Sequence, residues 1–151
     1  MIEVECPTPA DTIALARRLA SHVRPGDVVL LIGDLGAGKT LFAGGLAEGL
    51  GVEETVVSPS FVLVKEYRSG FLPLVHADAY RLSTTNEFDD LDVWDAAAGG
   101  VLAVEWGDAV AGLLPPDHLR VEFKMDDSGT RHVRLVPMGN WAERPLADLS
   151  P

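Results

Sequence analysis

Val28-Val29-Leu30-Leu31-Ile32 runs straight into Gly33-Asp34-Leu35-Gly36-Ala37-Gly38-Lys39-Thr40, and the order of these two stretches decides how the chain folds. The second fits the pattern G-x-x-x-x-G-K-[ST], a phosphate-binding loop whose mechanism needs a buried strand leading in and a helix leading out. Both are legible. An unbroken β-branched and aliphatic run suits a strand covered on both faces of a parallel sheet. After Thr40, Phe42, Leu46 and Leu50 recur at helical spacing with Ala43 and Ala47 beside them, and Gly51 closes the segment like a helix C-terminal glycine.

The chemistry explains the residue types. Gly33, Gly36 and Gly38 can adopt conformations closed to residues with a Cβ, so successive backbone N–H groups turn inward and cradle an anion. The helix start adds free N–H groups and its positive dipole end. Nucleotide contacts are expected along Asp34, Leu35, Gly36, Ala37, Gly38, Lys39, Thr40 and Leu41. Lys39 is expected to offer a mobile charge to the β- and γ-phosphates, and the Thr40 hydroxyl to be one ligand of Mg2+.

The bulk composition narrows the partners. At 151 residues the chain has the length of one domain, and its 47% hydrophobic and 23% charged residues are those of an ordinary globular protein. Twelve basic against 23 acidic residues leave a net charge of −11. Such a surface repels nucleic acid and anionic membrane unless its few arginines are gathered on one face. Cys6 is the single cysteine, so no internal disulfide can form, and with no activating neighbour it reads as inert. The acidic start followed by Pro7 is unlike a signal or transit peptide, and no apolar run approaches the ~18 residues needed to span a bilayer. A cytoplasmic protein is expected.

Ile2 to Glu5 alternates briefly, as an edge strand does. Thr8-Pro9-Ala10-Asp11 then reads as a helix start, with Thr8 as N-cap, Pro9 at the first helical position and Asp11 completing a capping box. Ile13, Ala16, Leu19, Ala20 and Val23 form the apolar side of that helix, which Pro25-Gly26 stops. Beyond the phosphate loop, residues 53–57 read as a short strand, and residues 62–67 and 71–77 as a hairpin turning at Arg68-Ser69-Gly70. Residues 83–100 are expected to be helical in parts, and residues 109–114 to make a turn or two of helix. Leu119, Val121, Phe123 and Met125 share one face of a strand that pairs with residues 131–136. The expected fold is α/β, a P-loop NTPase-like three-layer arrangement around a mixed parallel/antiparallel central sheet. Residues 1–136 are expected to make one P-loop domain, and residues 137–151 read as an aperiodic, poorly ordered tail.

Two strands end in an acid. His76-Ala77-Asp78 closes one, and Val104-Glu105-Trp106 closes the other. An acid just past a hydrophobic strand is what the second Mg2+-binding element of a P-loop enzyme requires, because ligands collect at the carboxyl ends of the strands. Position alone leaves both open. His76 reads as a structural imidazole, having no catalytic partner nearby in sequence.

The ordered set of Gly-Asp-Leu-Gly-Ala-Gly-Lys-Thr at 33–40, Ser-Pro-Ser-Phe at 58–61, His-Ala-Asp-Ala-Tyr-Arg-Leu at 76–82 and Val-Glu-Trp-Gly-Asp at 104–108 resembles the bacterial TsaE (YjeE) family over roughly residues 1–136. The resemblance implies an ATP- and Mg2+-dependent ATPase that assists formation of N6-threonylcarbamoyladenosine in tRNA. It also implies action on a complex of TsaB and TsaD, with tRNA contacted only indirectly. Carried onto this chain, it gives Ser60 a place in a switch-like loop near the γ-phosphate, where family members usually carry Thr, and Trp106 a place close to the nucleotide. Lys39, Asp78 and Glu105 become the catalytic set, with Thr40 and Glu105 as metal ligands and Asp78 orienting water or completing the metal's outer shell.

Two other readings compete. A small-molecule kinase shares the loop but needs lid arginines and an acceptor pocket, and only Arg81 lies near the expected site in sequence. A regulatory adaptor would use ATP binding to gate assembly and hydrolyse little.

Overall fold

The computed structural model of the chain describes residues 1–34, 36–56, 64–78, 97–105 and 115–149. Seven strands form one sheet in the order β1-β7-β6-β2-β5-β4-β3. They span β1 Ile2–Cys6, β2 Asp27–Ile32, β3 Val64–Tyr67, β4 Leu74–Asp78, β5 Val101–Glu105, β6 His118–Met125 and β7 Arg131–Met138, with helices α1 Pro9–Leu19 and α2 Lys39–Gly49 between the first three. β4, β5, β2 and β6 run parallel, whereas β3 pairs antiparallel to β4, β7 to β6 and β1 to β7. The sheet is therefore mixed, and the phosphate-loop strand lies at its centre.

Apolar runs make the inner strands. Val29, Leu31, Val101, Ala103, Leu74, Leu119 and Val121 pack on one face with Leu15, Leu19, Phe42 and Leu46 of the two helices. Val28, Leu30, Val75, Ala77, Leu102 and Val104 alternate with these toward the opposite face and are also buried. The inner strands are therefore buried on both faces, as expected for the parallel part of an α/β sheet, and both described helices lie on one of them.

Thr8 caps α1 as its sequence requires, its hydroxyl accepting from the Asp11 amide while the Asp11 carboxylate accepts from the Thr8 amide at 2.9 Å. The helix is shorter than its apolar pattern implies. It ends at Leu19, and its buried residues are Thr12, Leu15, Ala16 and Leu19, so Leu15 rather than Ile13 faces the sheet. Val23 is buried from the turn that follows, where the Arg24 amide donates to the Asp27 carboxylate at 2.6 Å.

α1 and α2 cross at backbone contact. A Cβ on Gly45 would lie 2.7 Å from the Ile13 carbonyl oxygen, and one on Gly49 would lie 2.4 Å from the Ala20 Cβ. Glycine at these two positions lets α2, which starts on the phosphate loop, seat directly on α1.

The hairpin forms, but its second strand starts at Leu74 and not at residue 71. The Phe71 amide donates to the Leu50 carbonyl at 2.6 Å, tying residues 70–71 over the end of α2 and away from the ladder, and Phe71 is left 87% exposed. Residues 53–56, expected as a strand, are irregular. Residues 83–96 and 109–114 lie outside the described residues. On β6, Leu119, Val121 and Phe123 are buried while Met125 projects beyond the core.

β7 continues to Met138, past the expected end at residue 136. Two 3-10 turns follow, Gly139–Glu143 and Ala147–Leu149, burying Trp141 and Leu149, and Leu146 is buried from the link between them. Arg144 lies 3.8 Å over the Trp141 ring and donates twice to the Asp27 carboxylate, at 2.6 and 2.7 Å. This segment has no sequence periodicity because single anchors, and not a repeating face, hold it.

Candidate functional site

The carboxyl end of β2 turns through the glycine-rich loop into α2. Gly36 at φ 80° and Gly38 at φ 115° take left-handed conformations that a Cβ would strain, and Gly38 is the N-cap of α2. Among the described residues no side chain caps that helix, so its first N–H groups remain available to an anion, in the geometry of a backbone nest.

Lys39 begins α2, buried, and its Nζ donates to the carbonyls of Gly33 at 2.6 Å and Asp34 at 2.8 Å. Burial pushes its pKa below the ordinary 10.5, while the carboxylates of Glu105, Asp78 and Asp34 pull the other way. A buried cation held at the loop's mouth is ready to exchange carbonyl oxygens for phosphate oxygens.

The two candidate acids meet. β4 and β5 pair in parallel with Asp78 opposite Glu105, and both side chains are buried, at 5% and 4% exposure. Glu105 also faces β2 and the loop. The Thr40 hydroxyl donates to its two oxygens at 3.1 and 3.3 Å. His76, which reads from sequence as an isolated imidazole, is fully buried and its Nε2 donates to the same carboxylate. The partner was invisible because it sits on a neighbouring strand.

A hydroxyl and a carboxylate oxygen side by side at a phosphate nest are hard donors that suit Mg2+, an ion bound through one or two protein oxygens with the rest from phosphate and water. Among the described residues no group of three or more His, Cys, Asp or Glu forms a closed metal cage. The Thr40 hydroxyl and Glu105 carboxylate fit a metal that arrives with a nucleotide.

One basic residue at the loop escaped sequence reasoning. Arg131, the first residue of β7, reaches across so that its Nε donates to the Ala37 carbonyl at 3.0 Å, and a Cβ on Gly38 would lie 2.8 Å from that nitrogen. No carboxylate among the described residues pairs with it. Only the antiparallel return of β7 beside β6 brings position 131 here, and no local motif marks it. An open groove of about 800 Å³ flanks the first loop residues, lined by Gly33, Asp34, Phe123, Lys124 and His132, of a size that holds a small molecule.

The structure thus gathers Asp34, Gly36, Ala37, Gly38, Lys39, Thr40 and Leu41 in one turn and brings Asp78 and Glu105 to them. Leu35, Ser60, Arg81 and Trp106 lie outside the described residues.

An α/β sheet with this loop, a lysine and threonine opening the helix and two acids on adjacent strands defines a P-loop nucleotide-binding protein. Residues 6–133 match the family model described as threonylcarbamoyl adenosine biosynthesis protein TsaE. The chain belongs to the TsaE family. It is 41% identical over 143 residues to the tRNA threonylcarbamoyladenosine biosynthesis protein TsaE of Bacillus subtilis, covering 94% of this chain and 89% of that protein. It is 42% identical over 144 residues to the protein of the same name from Streptomyces coelicolor, covering 90% and 97%. The crystal structure of Bacillus subtilis YdiB superposes with a TM-score of 0.81 at 36% identity, over 94% of this chain and 89% of that one.

Proposed function

We propose that the chain binds ATP with Mg2+ and hydrolyses it to ADP and phosphate, as an accessory ATPase in the formation of N6-threonylcarbamoyladenosine in tRNA. It acts on a complex of TsaB and TsaD in the cytoplasm and meets tRNA only through them. The observation that carries this reading is the convergence of Lys39, Thr40, Asp78 and Glu105 on one phosphate nest. The net charge of −11 agrees, since a chain so acidic is poorly suited to hold tRNA itself.

Thr40 and Glu105 would hold Mg2+, which, when bound, neutralises charge developing on the β- and γ-phosphate oxygens. The loop N–H groups and Lys39 bind the phosphates, and Arg131 adds positive charge beside Ala37 and Gly38. Asp78 orients the attacking water or completes the outer shell of the metal. In-line attack forms a new P–O bond as the bond to ADP breaks, so positioning and charge neutralisation carry the chemistry. Ser60 takes the switch-like position near the γ-phosphate and Trp106 a position against the nucleotide.

The test is phosphate release from ATP by the protein alone and with TsaB plus TsaD, with Lys39→Ala as control. Stimulation by the pair that vanishes in the variant is the expected result. ADP formation that depends strictly on an added small acceptor would overturn the proposal in favour of a kinase.

A further inference from the structure

We propose that His76 is a positioning residue that holds the Glu105 carboxylate in place for the metal of the bound nucleotide, an inference that rests on the Mg2+-ATP reading above. Glu105 stands at the end of β5 with a flexible side chain, and two donors fix it. One is Thr40, itself a candidate metal ligand; the other is His76 Nε2 on the adjacent strand. Because a carboxylate only accepts, the imidazole hydrogen of this contact sits on Nε2.

The local sequence makes room for this contact. β4 and β5 pair His76 with Ala103 and Asp78 with Glu105, so all four residues share one face of the sheet. Ala103 is small, which lets the imidazole lean diagonally past it toward Glu105. A packing role explains His76 poorly. It is fully buried between Leu74 and Asp78 on that face, and among the described residues its Nδ1 has no hydrogen-bond partner, so an apolar residue would fill the space at lower cost. Groups that orient a metal ligand from behind set its geometry, and their loss lowers metal affinity without touching the ion.

The experiment measures binding of a fluorescent ATP analogue in EDTA and in Mg2+, for the wild type and for His76→Leu, His76→Gln and His76→Asn, with folding checked by circular dichroism. In His76→Leu, binding in EDTA should persist while the tightening conferred by Mg2+ falls about tenfold to a hundredfold. His76→Gln should recover most of it, because its amide N–H reaches about as far as Nε2. His76→Asn, polar but too short, should not, and it serves in place of the leucine variant should that one fail to fold. In a Glu105→Gln background the His76 substitutions should change nothing further. Equal weakening with and without Mg2+, unchanged Mg2+ tightening in the leucine and asparagine variants, or no recovery in the glutamine variant overturns the proposal. A wild type that binds no ATP in either condition overturns the ATP reading itself, and needs no variant to show it.

Discussion

The Thr40 hydroxyl lies 3.1 Å from Glu105 Oε2 across 65 residues of chain, joining the first turn of α2 to the end of β5. That contact, and not the strand-end position that Asp78 shares, favours Glu105 as the metal ligand. Glu105→Gln keeps the shape and removes the charge. It should abolish the tightening of ATP binding by Mg2+ and slow phosphate release by about a hundredfold, the scale seen when one preorganised charge-stabilising group is lost. Asp78→Asn should slow release while leaving Mg2+ tightening intact. Titrating nucleotide binding against Mg2+ in both variants distinguishes them, and the opposite pattern reassigns the metal to Asp78.

Arg131 donates a single hydrogen bond to the loop at Ala37 and is only half buried, so its removal should cost little stability. Its charge matters more. Arg131→Ala should raise the dissociation constants of ATP and ADP by about tenfold, equivalent to ~1.4 kcal/mol, near the lower end for a charge-assisted hydrogen bond. Fluorescence titration at two salt concentrations checks this, and unchanged affinity would reduce the arginine to a prop for the loop.

The difference between Arg131 and Lys39 shows what a sequence can carry. Lys39 was legible because strand, loop and helix are contiguous, and local patterning also marked the α1 cap, the Val28–Ile32 run and the alternation of β6. Arg131 and the His76 contact depend on which strands become neighbours, information that no local period holds. The end of α1 and the start of β4 were misjudged for a related reason. The turn in which the Arg24 amide donates to the Asp27 carboxylate three residues on, and the tertiary hydrogen bond from the Phe71 amide to the Leu50 carbonyl, outweigh the apolar pattern. The folded tail was hidden because its anchor, Arg144, acts on a carboxylate far away in the chain.

Burial lowers the pKa of Lys39 from 10.5 against the pull of three carboxylates. Between the lowered value and 10.5 the unfolded chain binds more protons at this lysine than the folded one. Lys39 therefore makes the ligand-free protein more stable as pH rises through that window, and its unfavourable contribution is complete below it. Phosphate favours the charged amine, so ATP binding should draw in a proton within the same window and weaken as pH rises. Calorimetry in two alkaline buffers of different ionisation enthalpy should detect this uptake in the wild type and find it missing in Lys39→Met.

Arg144 and Asp27 form a two-bond pair at 10% and 8% side-chain exposure, and the Arg24 amide uses the same carboxylate. Arg144→Ala strands that carboxylate in the interior and should destabilise the fold by about 3–5 kcal/mol. Asp27 begins β2 and the phosphate loop follows its other end, so nucleotide affinity should hold at temperatures where the variant stays folded. Urea unfolding together with ATP titration separates the two effects. A small stability change would mean that the tail merely rests on the sheet.

Gly44 and Gly45 are neighbours on α2 that should respond oppositely to alanine. Alanine is preferred over glycine inside a helix by about 0.8–1.0 kcal/mol. A Cβ on Gly44 meets nothing within 4 Å among the described residues, so Gly44→Ala should be stabilising by up to about that amount. A Cβ on Gly45 would sit 2.7 Å from the Ile13 carbonyl oxygen and 2.9 Å from the Ala16 Cβ, atoms of a helix that cannot yield without lifting off α2. Overpacking of this kind typically costs about 1–3 kcal/mol, which exceeds the propensity gain. Because α2 opens on Lys39 and Thr40, any shift that admits the methyl group also displaces the phosphate nest, so Gly45→Ala should weaken ATP binding as well. Thermal unfolding of the two variants, with and without ATP, provides the comparison. Equal stabilisation of both would show that the helices are held apart in solution and that their backbone contact does not position the loop.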